Sequence, residues 1–377
     1  MTERDRFGIG WRPELAAGIL AHRERLDVVE ALADDWIASA RADVRALATL
    51  AVQVPLTLHG VSLGLASAHP VATRRLDALA RLVERVRPEA WSEHLAFVRA
   101  GGREIGHLAA PPRVDATLEG LAANVARARA IVGTAPLLEN VATLVEPPGS
   151  DRDEATWLCD VVAATTAPLL LDLHNLHANA LNFGFDAVAM LPRLPLSRVR
   201  QVHLAGGRWI GAPGGERLLD DHRHDVPDAV FALLEALAAL APGALTVILE
   251  RDGGYPPIAA LLDELDRARA AVARGRQRAR PSSLEGLGAN ARAGGCGAAW
   301  SARAEALLAR LYVEDDTRAA FVADPGGVAR AAGLGPGERA ALAGLDRVGL
   351  GLAARSFAAK RLQVPPRRAW LARLAGR

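Results

Sequence analysis

The sequence predicts a (β/α)8 barrel followed by a linker and a small all-α domain. Three observations lead there. Eight short apolar runs, spaced mostly 20 to 40 residues apart, occupy the first 265 residues or so. The runs are continuously apolar rather than alternating, as parallel strands covered on both faces by helices are. Between them lie stretches with apolar residues three and four positions apart, the spacing of one helix face. Eight strand–helix units in that length fit a barrel. A doubly wound sheet fits less well, because no Gly-rich G-x-G-x-x-G turn follows the first run.

In chain order the expected strands are FGIGW (7–11), LDVVEAL (26–32), VPLTLHG (54–60), AWSEHLAF (90–97), APLLEN (135–140), APLLLDLHN (167–175), VRQVHLAG (199–206) and LTVILERD (245–252). Residues 74–86, 118–132 and 263–280 read as amphipathic helices. The barrel is therefore assigned to 1–280. Residues 281–298 are rich in Gly, Ser and Ala and read as a flexible linker. Residues 299–377 carry short helical patterns punctuated by Asp324-Pro325-Gly326-Gly327 and Gly335-Pro336-Gly337, which reads as a small basic helical domain, an appendage or a docking module.

The formal net charge of +2 conceals an asymmetry. From residue 267 onward there are 20 basic and 8 acidic side chains, a charge of +12, which leaves −10 on residues 1–266. All ten histidines lie at or before His224. Histidine chemistry therefore belongs to the acidic front of the chain. Two cysteines, Cys159 and Cys296, cannot build a disulfide framework and suit a reducing compartment. The polar N-terminus and the lack of a long apolar run lead to the expectation of a soluble, cytoplasmic protein. Cys159 is expected to be a small buried apolar residue and Cys296 an exposed thiol. His22, at a helix start, and His69 are expected on the surface, and His107 in a loop near the site mouth. The tryptophans form no nucleic-acid stacking pattern, and P-loop, G-x-S-x-G and H-E-x-x-H motifs are absent.

The informative feature is what ends each apolar run: His59, Glu93-His94, Glu139-Asn140, Asp172 with His174 and Asn175, His203, and Glu250. In a (β/α)8 barrel the C-terminal strand ends converge on the face that carries the active site. A lone histidine at a strand end is more often structural. Six strands ending in imidazoles and carboxylates are a different matter, because buried charges need cations or partners. The loop Asp220-Asp221-His222-Arg223-His224 adds a seventh contribution. A His/Asp/Glu/Asn set without cysteine suits zinc, manganese or iron, and mixed imidazole–carboxylate ligation suits non-haem iron. The set exceeds the needs of one ion, and Glu139, central in the series, is placed to bridge two.

The motifs Gly8-Ile9-Gly10-Trp11-Arg12-Pro13-Glu14, Leu58-His59-Gly60-Val61, Ser92-Glu93-His94-Leu95, Leu138-Glu139-Asn140, Leu171-Asp172 with Asn175, Gln201-Val202-His203-Leu204-Ala205-Gly206, and Asp220 with His222 resemble the DUF692 (UPF0276) family. These are multinuclear non-haem iron-dependent oxidative enzymes, among them a methanobactin biosynthesis enzyme. The resemblance implies a barrel that binds two or three irons, in mixed Fe(II)/Fe(III) states, with O2 as co-substrate. It implies a ribosomally synthesised precursor peptide as substrate, modified at cysteine residues. It also implies a small partner protein that presents the peptide, a part the fused C-terminal domain could take. Position by position it implies His59, His94, Glu139, Asp172, Asn175, His203, Asp220, His222, His224 and Glu250 as metal ligands. Glu93, Asn140, His174 and His177 would then orient ligands or move protons.

Some positions depart from the family pattern. His174-Asn175 stands where paired asparagines are common, and His177 where an aromatic is common. Gly207 follows His-Leu-Ala-Gly in place of a histidine, Arg223 stands in place of an Asp, and Glu30-Ala31-Leu32 in place of Glu-Val-His. Two further readings remain open from the residues alone. One is a divalent-metal-dependent isomerase or hydrolase on a similar barrel, of the xylose-isomerase or endonuclease kind. The other is a non-catalytic metal-binding protein. No nucleic-acid or membrane partner is expected.

Overall fold

A computed structural model of the chain describes residues 4–279 and 300–363. The expected linker 281–298, with Cys296, lies outside them. The strands, in chain order, are β1 (Arg6–Trp11), β2 (Val28–Leu32), β3 (Leu56–Gly60), β4 (Ala90–His94), β5 (Phe97–Ala100), β6 (Arg103–Ala109), β7 (Leu137–Glu139), β8 (Leu169–Asp172), β9 (Val199–Leu204), β10 (Gly207–Ala212), β11 (Gly215–Asp220) and β12 (Thr246–Leu249). Eight of them close a barrel in the order β1-β2-β3-β4-β7-β8-β9-β12, with β12 returning to pair with β1. All eight pairings are parallel. The remaining four form two antiparallel hairpins, β5–β6 and β10–β11, that rise from the C-terminal ends of β4 and β9.

Every one of the eight expected runs contains a barrel strand. The run at 90–97 breaks at Leu95-Ala96, where the chain leaves the barrel and enters the first hairpin. The run at 167–175 stops being a strand at Asp172, whose side chain accepts the Asn175 N–H at 2.7 Å and caps a helix. His174 and Asn175 are thus helical, not strand-end, residues.

Around the strands lie α1 (Ala16–Ala21), α2 (Ala33–Trp36), α3 (Arg41–Gln53), α4 (Thr73–Val86), α5 (Asp115–Val132), α6 (Glu154–Thr165), α7 (Leu173–Phe183), α8 (Ala187–Met190), α9 (Asp228–Leu240) and α10 (Ile258–Arg278). The strands are buried on both faces, as in β3, where all five residues are buried. Leu76, Leu79 and Leu82 of α4 and Leu261, Leu262 and Leu265 of α10 pack on the barrel's outer surface. Each such leucine contributes roughly 1.5–3 kcal/mol by leaving water.

Five helices follow: α11 (Ala302–Val313), α12 (Asp315–Ala323), α13 (Pro325–Ala331), α14 (Pro336–Ala343) and α15 (Arg347–Gln363). Their core of Leu308, Leu311, Phe321 and Leu350 is continuous with Phe97 and Ile105 of the first hairpin and with Leu219 of the second. Glu305 on α11 accepts from Ser67 Oγ and from the Ala68 N–H, 2.5 and 2.7 Å away, in the loop after β3. The helical module therefore packs against loops and hairpins on the C-terminal side of the barrel. Among the described residues no helix is long and apolar enough to cross a membrane.

His22 ends α1 and also stands at the start of the 3-10 turn Arg23–Arg25, the helix start expected of it. Two placements differ from expectation. His107 lies in β6 and is part of a hairpin, not a loop. Cys159, on α6, is half-buried and its Sγ approaches the Arg193 carbonyl at 3.4 Å. His69 is exposed, as expected.

Candidate metal centre

The parallel register sets the polar strand ends level. His94 is paired with Glu139 between β4 and β7, Asp172 with His203 between β8 and β9, and His59 with Ser92 between β3 and β4. Glu139 is fully buried at the middle. Its Oε2 lies 3.2 Å from His94 Nε2 and 3.4 Å from His59 Nε2. Its Oε1 lies 3.3 Å from His203 Nδ1, which is 3.1 Å from Glu250 Oε2. His222 continues the chain of contacts, with Nδ1 3.2 Å from Glu250 Oε2 and Nε2 2.9 Å from Asp220 Oδ1.

Among the described residues four overlapping triads of donor atoms are close enough to share an ion: His59/His94/Glu139, His59/His203/Glu250, Glu139/Asp172/His203 and Asp172/His222/Glu250. Buried polar atoms normally have partners. Here Glu139 Oε1 and Oε2, Asp172 Oδ2, Asn175 Oδ1 and His203 Nδ1 make no well-aligned hydrogen bond despite the short contacts around them, and all belong to this cluster. The residues fit cations: oxygen and imidazole donors converge, no thiolate is present, and the orphaned atoms are those a metal would satisfy.

Neighbours fix the orientation of the donors. His59 Nδ1 is 2.8 Å from Ser92 Oγ, and His94 Nδ1 is 3.2 Å from the Gly60 carbonyl, leaving both Nε2 atoms for Glu139. Glu93 accepts the Leu63 and His94 N–H groups at 3.0 Å each, so it organises backbone beside the cluster. Asn140 clamps the β8 end, accepting from Asp172 N–H at 2.8 Å and donating to Asp172 O at 3.0 Å. Asn175 donates to the Asn140 carbonyl at 2.9 Å, with its Oδ1 left over. His174 Nδ1 shares Asp220 Oδ1 with His222, at 2.8 Å.

Two expected residues stand apart. His224 is turned to Asp221, 2.9 Å away, and its side chain is 45% exposed. His177 is half-buried one turn beyond His174, with ring centroids 6.4 Å apart. Neither joins a donor triad. Two residues that the sequence did not single out as site residues belong beside the centre. Glu30, buried in β2, lies 2.8 Å from His203 Nε2 and is held by Gln201 and Thr57. Arg12 pairs with Asp252 and lies 3.6 Å from Glu250. A carboxylate inside the apolar run Val28–Leu32 was the available signal for Glu30.

The electrostatics are those of crowded, opposite charges. Burial opposes the charged form of His94, but Glu139, Glu93 and Glu250 overcome it and raise its pKa to about 9. Burial likewise opposes charge on His203 and His222, and their carboxylates raise both well above the ordinary value. Burial pushes Glu250 up, and His203 and His222 hold it well below instead. Burial raises Asp172 to about 7, against His222 and with help from Asp220 and Glu139.

Residues 6–273 match the family described as RiPP precursor modification enzyme MbnB/TglH/ChrH, that is, enzymes acting on precursors of ribosomally synthesised, post-translationally modified peptides. A UPF0276 protein of Bordetella bronchiseptica is 40% identical over 271 residues, 72% of this chain and 93% of that protein. A UPF0276 protein of Streptomyces avermitilis is 35% identical and covers 95% of this chain and 78% of its own length, so that similarity runs past the barrel. Among solved structures, D-psicose 3-epimerase from Clostridium cellulolyticum H10 is similar at 13% identity and a TM-score of 0.48, over 73% of this chain and 99% of that one. The level strand ends, the unsatisfied donors and these sequence matches agree: the chain belongs to the UPF0276 family of RiPP precursor modification enzymes.

Proposed function

We propose that the protein is a multinuclear non-haem iron enzyme that uses O2 to modify cysteine residues of a ribosomally synthesised precursor peptide. The observation that carries this reading is Glu139, whose two unsatisfied oxygens face different histidines, His59 and His94 on one side and His203 on the other. That is the disposition of a bridging carboxylate. His59, His94 and Glu139 would hold one ion. Glu139, Asp172, His203, Glu250 and His222 offer donors for a second and a third, with Asn175 Oδ1 and Asp220 beside them. When bound, iron supplies one-electron chemistry with O2 and acidifies a coordinated substrate thiol. The chain's own residues keep the donors aimed: Ser92, Gly60 and Glu30 fix three imidazoles, and Asn140 and Glu93 fix the strand ends that carry the others.

The division of labour follows the charge. Residues 1–280 act as the catalytic unit, and residues 299–377 take the part of a docking module for the peptide or a partner, their basic surface suiting an acidic leader. The test is metal analysis and O2 uptake of protein prepared without oxygen and supplied with Fe(II). Two or three irons per chain are expected, with O2 consumption in the presence of a cysteine-containing peptide encoded beside the gene. His59→Ala and Glu139→Ala lower both. Protein that binds no iron, or variants with unchanged iron content and O2 uptake, would refute the reading. Turnover with zinc or manganese under strict anaerobiosis would favour an isomerase or hydrolase.

A further inference from the structure

The last described helix reaches the mouth of the barrel. α15 packs on β6 and β10, the two hairpin strands nearest it. Arg361 donates to the Ile105 carbonyl at 2.8 Å, and Gly349 sits against the Leu144 carbonyl too closely to admit a Cβ. Between these anchors Lys360 Nζ lies 3.0 Å from His107 Nε2 on β6. Lys360 is the only lysine among the chain's 45 basic residues.

Among the described residues Lys360 has no ion-pair partner. An ammonium has three donors, and among those residues this one uses a single side-chain acceptor, the His107 ring. It is half-buried. The carboxylates that act on it electrostatically are Asp220, Asp252 and Asp221, which line the rim of the candidate metal centre at the end of β11 and beyond β12. Each has other partners: Asp220 has His174 and His222, Asp252 has Arg12, and Asp221 has His224 and Arg208. Among the described residues none of these forms an ion pair with Lys360. His107 itself stacks edge-on against Phe357 of the same helix as Lys360, with ring centroids 4.8 Å apart, which fixes the ring beside the ammonium. A partly desolvated cation with donors to spare, beside an acidic rim whose members are already engaged, is a place for an incoming anion.

We propose that Lys360 is a substrate-binding residue that takes a carboxylate of the peptide, so that the C-terminal module completes the binding cleft of the barrel. His107 positions the ammonium by accepting one of its protons. The identity of the substrate as a cysteine peptide rests on the function proposed above; the anion site itself does not. The carboxylate comes either from an acidic side chain next to the reacting residue or from the peptide's own C-terminus, and the two sources separate experimentally.

Calorimetry on the iron-loaded full chain with two probe pairs tests this. One pair is N-acetylcysteine and its carboxamide; the other is N-acetyl-Cys-Asp-amide and N-acetyl-Cys-Asn-amide. The unmodified protein is expected to bind the charged member of one pair about tenfold more tightly than the neutral member. Preference in the first pair assigns a C-terminal carboxylate, and in the second an acidic side chain. Lys360→Met abolishes the preference with iron content unchanged, and Lys360→Arg retains most of it. Acetylating this single lysine on folded protein gives the same loss as Lys360→Met without a substitution that could disturb folding. The proposal is overturned if neither pair shows a preference, or if the preference survives both Lys360→Met and acetylation, as it would were iron itself the anion's partner. A Lys360-dependent preference in protein that consumes no O2 would keep the anion site and remove the oxidase. Unchanged preference in protein that does consume O2 would do the reverse.

Discussion

Glu30 Oε1 lies 2.8 Å from His203 Nε2, deep in the barrel and one strand layer below the donor cluster. That contact leaves Nδ1 as the His203 nitrogen facing Glu139 and Glu250, at 3.3 and 3.1 Å. A carboxylate behind a ligating histidine fixes both its tautomer and its ring orientation. Glu30 in turn is held by Thr57 and Gln201, so its own position is not free to vary. Glu30→Gln should therefore lower metal affinity about 10- to 100-fold while the barrel stays folded. Titration against a competing chelator measures this, and an unchanged affinity would remove Glu30 from the centre's support.

Metal uptake should be coupled to proton release. In the metal-free protein His94 has a pKa of about 9, burial being overcome by Glu139 and its neighbouring carboxylates. A folded-state pKa above the unfolded 6.5 means that this pairing stabilises the fold in full below about pH 6.5 and is lost as pH rises through about 9. Asp172, raised to about 7 by burial, acts in the same direction at lower pH. Ions require neutral imidazoles and ionised carboxylates. Metal-free protein should thus lose thermal stability between about pH 6.5 and 9, while the stabilisation given by added metal grows over that range. Calorimetric titration in buffers of differing ionisation enthalpy reads the released protons directly. A binding heat independent of buffer would contradict this account.

The barrel was legible because parallel strands announce themselves as short apolar runs, and their C-terminal ends carry the candidate ligands. His59, His94, Glu139, Asp172, His203 and Glu250 follow from that rule alone, and the structure brings their donor atoms together. The rule fails where the chain departs from the strand. His224 sits in a loop whose geometry hands it to Asp221. His174 looks like part of the β8 run because Leu-His-Asn follows Asp172 without a turn signal, yet the Asp172 cap starts a helix at Leu173. Glu30 lies inside a strand rather than at its end. The pairing of His107 with Lys360 spans 253 residues of sequence and depends on how α15 crosses two hairpins, which no local pattern encodes.

The helical module should depend on one buried carboxylate for its attachment. Glu305 is 2% exposed and accepts from Ser67 Oγ and Ala68 N–H. Removing it leaves a buried amide and hydroxyl without an acceptor, a loss of about 1.5–3 kcal/mol for charge-assisted bonds. Glu305→Ala should lower the urea midpoint of the module's unfolding and hasten proteolytic release of the C-terminal part, with the metal-binding capacity of the barrel retained. Equal proteolysis rates for variant and parent would argue that the apolar core around Leu308 alone holds the module.

Position 207 offers a sharper probe of how the centre departs from its family. Where a histidine commonly follows His-Leu-Ala-Gly, this chain has Gly207, and a Cβ built there would meet the Leu219 carbonyl and come within 2.7 Å of His174 Cε1. The His174 ring thus fills space beside Gly207, and His174 is itself the position at which asparagine is common. The two departures occupy one volume, an exchange of a large and a small residue across α7 and β10. Gly207→His should cost about 1–3 kcal/mol of stability through overpacking. Adding His174→Asn should recover the share due to the ring, leaving only the clash with the β11 backbone. A double-mutant cycle of unfolding free energies measures the coupling, expected at about 1 kcal/mol or more for side chains in direct contact. Strict additivity of the two changes would show that the two positions do not share that space in solution.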